Sequence, residues 1–257
     1  VLRSEAYRSS RNHRVGTNPF SVRCIEGRLA RQASIRSLLC EEFVTGVGST
    51  NCYSYSKSNV DGRGGAIGAQ MPNAIPGHCL SFDVEEHFQV SAFETPMRRR
   101  HWGQFESRVE NNTEKLLGLL ENRGVRATFF ILGWVAERYP SLVRRIASCG
   151  HEVASHGYAH ELITSQTPST FREDIRKAKG ILENILSQPM LGYRAPSFSI
   201  TKDTMWATQI LVEEGYVYDS SIFPVLHDRY GVPSANPEAH QLLTASGLLW
   251  EVPPSTV

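Results

Sequence analysis

From residue 75 onward, short runs rich in aromatic and β-branched residues alternate with longer segments whose apolar side chains recur at helical spacing. That alternation is the sequence sign of α/β architecture. Residues 110–121 place Leu116, Leu117, Leu119 and Leu120 on a helical face that stops at Asn122 and Gly124. Residues 126–132 contain Ala127-Thr128-Phe129-Phe130-Ile131, the composition of a strand buried on both sides. Tyr139-Pro140-Ser141 opens a helix carrying Leu142, Val143, Ile146 and Ala147, closed by Gly150. The clearest helix follows Thr170-Phe171-Arg172-Glu173, a capping-box pattern, with Phe171, Ile175, Ala178, Ile181, Leu182 and Ile185 in register before Pro189. Thr201 can cap a further helix with Met205, Ile210, Leu211 and Val212, ended by Gly215. A strand over 216–218 then delivers Asp219, and 248–252 is the last strand-like run. About six strands with helices between most of them predict a parallel sheet or an incomplete barrel.

Three of the apolar runs end in chemistry. Cys79-Leu80-Ser81-Phe82 leads into Asp83-Val84-Glu85-Glu86; Glu152-Val153-Ala154-Ser155 leads into His156-Gly157-Tyr158-Ala159-His160; Met190-Leu191-Gly192-Tyr193 leads into Arg194-Ala195-Pro196. In β-α sheets, reactive side chains collect beyond the carboxyl ends of the strands, so these three clusters are expected to converge. Two imidazoles and a carboxylate suffice to bind a divalent metal with a position left open.

Composition narrows the field. Among 257 residues, 40% are hydrophobic, and 27 basic side chains nearly balance 26 acidic ones, so no polyanion such as nucleic acid is indicated as partner. The longest mainly apolar stretch, 127–136, is far short of the roughly 20 residues that cross a bilayer. Cys24, Cys40, Cys52, Cys79 and Cys149 are widely spaced without Cys-x-x-Cys, so free thiols are expected rather than disulfides or a thiolate zinc knot. Residues 1–75 are rich in Ser, Arg, Gly and Asn and lack a sustained period, so they read as a disordered or non-native extension. Arg3, Arg8, Arg11 and Arg14 give this segment the flavour of a targeting peptide, but no apolar core or cleavage site follows.

Ser81-Phe82-Asp83, His156-x-x-x-His160, Arg194-Ala195-Pro196-Ser197-Phe198 and Tyr218-Asp219-Ser220-Ser221, in this order, resemble the successive motifs of the NodB-type polysaccharide deacetylases, carbohydrate esterase family 4. The resemblance spans 76–257, and the text around Asp83 and Ser221 is most similar to deacetylases encoded with exopolysaccharide export systems. It implies a distorted (β/α) barrel and metal-dependent removal of acetyl groups from an N-acetylated polysaccharide or oligosaccharide. It also implies Asp83 as general base, His156 and His160 as metal ligands, Arg194 as the cation that orients Asp83, and Asp219 as a carboxylate that tunes the machinery. Zinc is the expected metal, because imidazole and carboxylate ligands suit it, with cobalt, nickel or manganese as alternatives.

The third ligand is open between Glu85 and Glu86, because Val84 stands where the commonest family motif has a second acid. Residues two apart on a strand share a side, which favours Glu85 and leaves Glu86 as surface charge. Tyr158 is a candidate groove wall or backbone donor, Phe198 a sugar-stacking wall, and His227-Asp228-Arg229-Tyr230 a lid or a surface turn held by an Asp-Arg pair. Trp102 and Trp250 are candidate sugar platforms, while Trp134 and Trp206 read as core. No late Leu-x-His segment, the family's source of a catalytic acid, precedes Val257, so the domain is expected to be truncated and that His to lie farther on. Two rival readings follow from these departures: a carbohydrate-binding or scaffold protein without catalysis, and a hydrolase of small amides. Cytoplasmic location is the simple expectation, and exopolysaccharide chemistry would suit the cell envelope.

Overall fold

The computed structural model describes residues 79–90 and 99–255, so the reading of 1–75 as an extension, and the residues at Cys24, Cys40 and Cys52, lie outside the described residues. Cys79 and Cys149 are free thiols. Among the described residues, seven strands form one sheet in the order β1-β2-β3-β4-β5-β7-β6. They are β1 (Ser81–Val84), β2 (Thr128–Ile131), β3 (Glu152–Ser155), β4 (Gly192–Tyr193), β5 (Tyr218–Asp219), β6 (His240–Thr244) and β7 (Gly247–Glu251). All neighbouring pairs are parallel except β6 and β7. Among the described residues the sheet is open between β1 and β6, an α/β arrangement of the distorted-barrel type.

The helices are α1 (Val109–Arg123), α2 (Gly133–Arg138), α3 (Pro140–Ser148), α4 (Pro168–Leu186) and α5 (Trp206–Glu213). Their capping departs from the sequence expectation at two places. Thr201 caps a short 3-10 turn, Lys202–Thr204, and α5 itself begins after Met205 with no side-chain cap. Thr167, not Thr170, is the N-cap of α4: Thr170 sits at the third helical position, the two threonines cap each other reciprocally, and Pro168 opens the first turn. The buried stripe Phe171, Ile175, Ala178 and Leu182 then faces inward along the helix.

Alternation along the strands sorts the core into layers. Phe129 and Ile131 of β2 pack with Leu117 and Leu120 of α1 and Leu142, Val143 and Ile146 of α3. Tyr193 of β4 and Leu249 of β7 pack with Phe171 and Ile175 of α4 and Leu211 of α5. On the opposite face, Phe130, Ala154 and Tyr218 form a smaller cluster with Cys79 and Trp250. Gly192 is paired with Tyr218, whose ring would lie 2.0 Å from a Cβ at that position, so only glycine lets the tyrosine cross the inner face. β6 escaped the sequence pattern because its side chains are half-buried or exposed and include the 84% exposed Leu243, leaving little apolar alternation to read.

Candidate metal centre

Register places the carboxyl ends of β1, β3, β4 and β5 side by side: Val84 pairs with Ile131, Ile131 with Ser155, Ser155 with Tyr193, and Tyr193 with Asp219. The residues that follow, Glu85, His156 and Arg194, therefore leave the sheet at one level. Glu85, His156 and His160 each bring a ligand atom within 4.8 Å of the others. Glu85 Oε2 lies 2.8 Å from His160 Nε2, and Asp83 Oδ2 lies 3.9 Å from His156 Nε2. Val84 turns away into the core.

The donor set fits a divalent cation. His156 Nδ1 lies 2.8 Å from the carbonyl of Arg194, an oxygen that can only accept, so the proton sits on Nδ1 and the Nε2 lone pair is left for a cation. Burial holds His156 below the ordinary histidine range, with His160 adding to that effect and Asp83 opposing it. A neutral imidazole is the form that ligates. Burial pushes Glu85 upward, but its hydrogen bond with His160 and the charges of both imidazoles leave it below the ordinary carboxylate range.

Arg194 is buried and its donors fan out over the site. Nη1 donates to Asp83 Oδ1 at 2.9 Å, Nη2 to Ser81 Oγ at 2.9 Å and Ser220 Oγ at 2.8 Å, and Nε to the Ser220 carbonyl at 3.0 Å. Its guanidinium carbon lies 4.0 Å from the centre of the Phe130 ring, a face that suits a planar cation. Asp83, whose side chain is 27% exposed, is pushed up by desolvation and pulled down by Arg194 and then His156; the net result lies below the ordinary carboxylate range.

Other sequence candidates fall elsewhere. Glu86 is not surface charge: it is 1% exposed and accepts from Ser107 Oγ and from the backbone amides of Arg108 and Val109, so it caps the start of α1. Asp219 is fully buried, accepts from Ser221 Oγ and faces Glu251; it meets the arginine only through the backbone and hydroxyl of its neighbour Ser220. Trp102 is 2% exposed, packed edge-on to Trp134, and so is core rather than platform; Trp250 packs beside Tyr218 in the inner cluster. Asp228 lies 2.8 Å from His227 rather than pairing with Arg229, and His227 stacks on Tyr230 at 3.8 Å. Phe198 stands between Arg194 and Phe223, with a ring centroid 5.3 Å from that of Phe223.

Three contributors were missed by the sequence reading. Ser81 could have been found, since it shares Asp83's side of β1 by the same two-residue rule that favours Glu85. Ser220 follows Asp219 directly. Glu251, which faces Asp219, gave no local signal and is reached only through the fold.

Residues 96–216 match the model of the polysaccharide deacetylase family, a stretch that takes in His156, His160 and Arg194 and leaves Asp83, Glu85 and Asp219 outside. The chain is 35% identical over 98 residues to a peptidoglycan-N-acetylglucosamine deacetylase of Bacillus cereus, covering 38% of this chain and 36% of that one. It is 32% identical over 122 residues to a peptidoglycan deacetylase-like protein of Gibberella zeae, covering 47% and 35% respectively. Thus the chain spans about a third of the length of these curated relatives. A crystal structure of a provisionally assigned polysaccharide deacetylase from Mycobacterium smegmatis superposes with a TM-score of 0.52 at 27% identity, over 69% of this chain and 58% of that one. Fold, clustered strand-end residues and family match point the same way: the part of the chain over 96–216 is similar to the polysaccharide deacetylase family.

Proposed function

We propose that the chain hydrolyses the amide of N-acetylated sugars in a polysaccharide, releasing acetate, with Asp83 as general base beside a divalent cation held by Glu85, His156 and His160. Zinc is the first choice for that donor set. An amide carbonyl is a poor electrophile and water a poor nucleophile; a cation so held supplies Lewis-acid polarisation and lowers the pKa of water.

The chain's own residues do the rest. The observation that carries the reading is the division of labour on Asp83: Oδ1 is committed to Arg194, while Oδ2 faces His156 Nε2 at 3.9 Å, next to the ligand cluster. A base fixed through one oxygen presents the other at a constant place. Arg194 keeps Asp83 ionised, and Ser81 and Ser220 keep Arg194 from following it. Asp219 acts at one remove: Ser221, which donates to it, also accepts from the Ala195 amide at 2.7 Å and so ties β5 to the residue after Arg194. The likeness of the segments around Asp83 and Ser221 to export-system deacetylases favours an exopolysaccharide as the polymer.

Acetate release and new free amines should be measured on N-acetylglucosamine oligomers, peptidoglycan fragments and N-acetylated exopolysaccharide, with and without added zinc. Zinc-dependent acetate, matched by amine and lost in Asp83→Asn, is expected. Acetate release that persists in Asp83→Asn, or zinc-loaded protein inert on every N-acetylated polymer, contradicts the proposal.

A further inference from the structure

We propose that Asp174, on α4, is a positioning residue that sets the distance between His156 and His160; the inference rests on reading those histidines as ligands of one cation. Along an extended strand, residues four apart lie about 13 Å from each other. Here the two ring centroids are 5.5 Å apart, so the chain must double back within three residues. It does so through left-handed backbone at Gly157 (φ 74°) and at His160 itself (φ 52°), the second being costly for a residue with a Cβ.

A reversal of this kind turns the amides and carbonyls of 157–159 away from any strand partner, and each needs another. The carbonyls of Gly157 and Tyr158 are taken by the amides of Gly133 and Trp134, at 2.8 and 3.1 Å. The Gly157 amide donates to Ser155 Oγ at 3.4 Å, and the next two are taken by Asp174: Tyr158 N donates to Oδ2 at 2.8 Å and Ala159 N to Oδ1 at 3.2 Å. One carboxylate thus grips the peptide units between the two histidines, from a helix whose buried stripe anchors it in the core. Gly157 lets it close, since a Cβ there would lie 2.7 Å from Asp174 Oδ2. Asp174 acts on the site through the backbone it holds between the two histidines. Charge-assisted bonds from a carboxylate to backbone amides are among the stronger ones available for this purpose.

The test is titration of zinc into the metal-free full chain, wild type beside Asp174→Ala and Asp174→Asn, together with the visible spectrum of the cobalt-loaded proteins. Loss of outer partners commonly weakens metal binding roughly 10–100-fold, and that range is expected for Asp174→Ala, with an altered cobalt spectrum. Asp174→Asn keeps the volume and one acceptor, should fold if the alanine variant does not, and should show a smaller weakening in the same direction. A merely structural role would lower thermal stability and leave affinity and spectrum unchanged. Wild-type zinc affinity and cobalt spectrum in the folded variants overturn the positioning role alone. Absence of zinc binding by the wild type overturns the metal centre itself and this inference with it.

Discussion

Two pairs of carboxylates stand at the carboxyl edge of the same sheet, and their surroundings push them in opposite directions. Asp83 and Glu85, at the end of β1, meet a guanidinium and two imidazoles, and both end below the ordinary carboxylate range despite burial. Asp219 and Glu251, paired in register on β5 and β7, are fully buried, and the charge of Arg194, which lowers Asp219, is outweighed there by burial. Burial drives Asp219 up to about 6, and burial together with the charge of Asp219 drives Glu251 well above its ordinary value. Two acids at contact distance in a dry site are stable when they share a proton. The first pair is therefore equipped for chemistry as anions. The second is a proton-sharing clamp: Glu251 accepts from the Ile222 amide at 3.0 Å, and Asp219 accepts from Ser221. Residue type is the same; the neighbours decide the work.

The comparison breaks most visibly under substitution of the two aspartates. Asp83→Asn should cut acetate release by roughly 10²–10⁴-fold, the range for losing a general base, while zinc binding persists. Asp219→Asn should cost much less, because it acts only through Ser220, Ser221 and Arg194. Equal losses would erase the distinction.

Arg194→Lys tests the source of Asp83's low pKa. A lysine cannot reproduce the fork that spans Asp83, Ser81 and Ser220. Since Asp83 must be ionised to take a proton, the acidic limb of the pH–rate profile should move upward, by about 1–3 units if the nearby cation is the chief cause.

Smaller effects concern stability. Glu251→Ala leaves the buried Ile222 amide without its acceptor and should cost about 1–3 kcal/mol in urea unfolding. Glu251→Gln sharpens the contrast through pH. The folded pKa values of Asp219 and Glu251 are raised, so their contribution is full below the ordinary 3.8 and 4.5 and is lost as pH rises, through about 6 for Asp219 and through a range well above the ordinary one for Glu251. Those of Asp83 and Glu85 are depressed, so their contribution is present above the ordinary 3.8 and 4.5 and is lost as pH falls below those values. Metal-free Glu251→Gln should flatten only the high-pH decline; a change confined to the acid side would contradict the assignment.

What could be read in the sequence was whatever sits next to a strong local pattern. Asp83, His156 and Arg194 were legible because each ends an apolar run, and Glu85 because alternation picks it over Glu86. Glu86's true task was not legible, since the amides it caps are 22 and 23 residues away. Glu251 was hidden by topology: β7 pairs with β5 across the hairpin of β6, which itself carries too little apolar alternation to be seen. Asp174 looked like one more charge on the polar side of an amphipathic helix, beside Arg172 and Glu173, because nothing local marks the two amides it receives. Local order was legible where hydrophobic period dictates it, and long-range polar pairing was not.

The most direct test of the whole account is a paired measurement of zinc affinity and acetate release on N-acetylglucosamine oligomers for the wild type, Asp83→Asn and His156→Ala/His160→Ala. Stoichiometric zinc in the first two, acetate from the first alone, and neither in the histidine variant is the predicted result. Zinc retained by the histidine variant, or acetate released by Asp83→Asn at the wild-type rate, would contradict it.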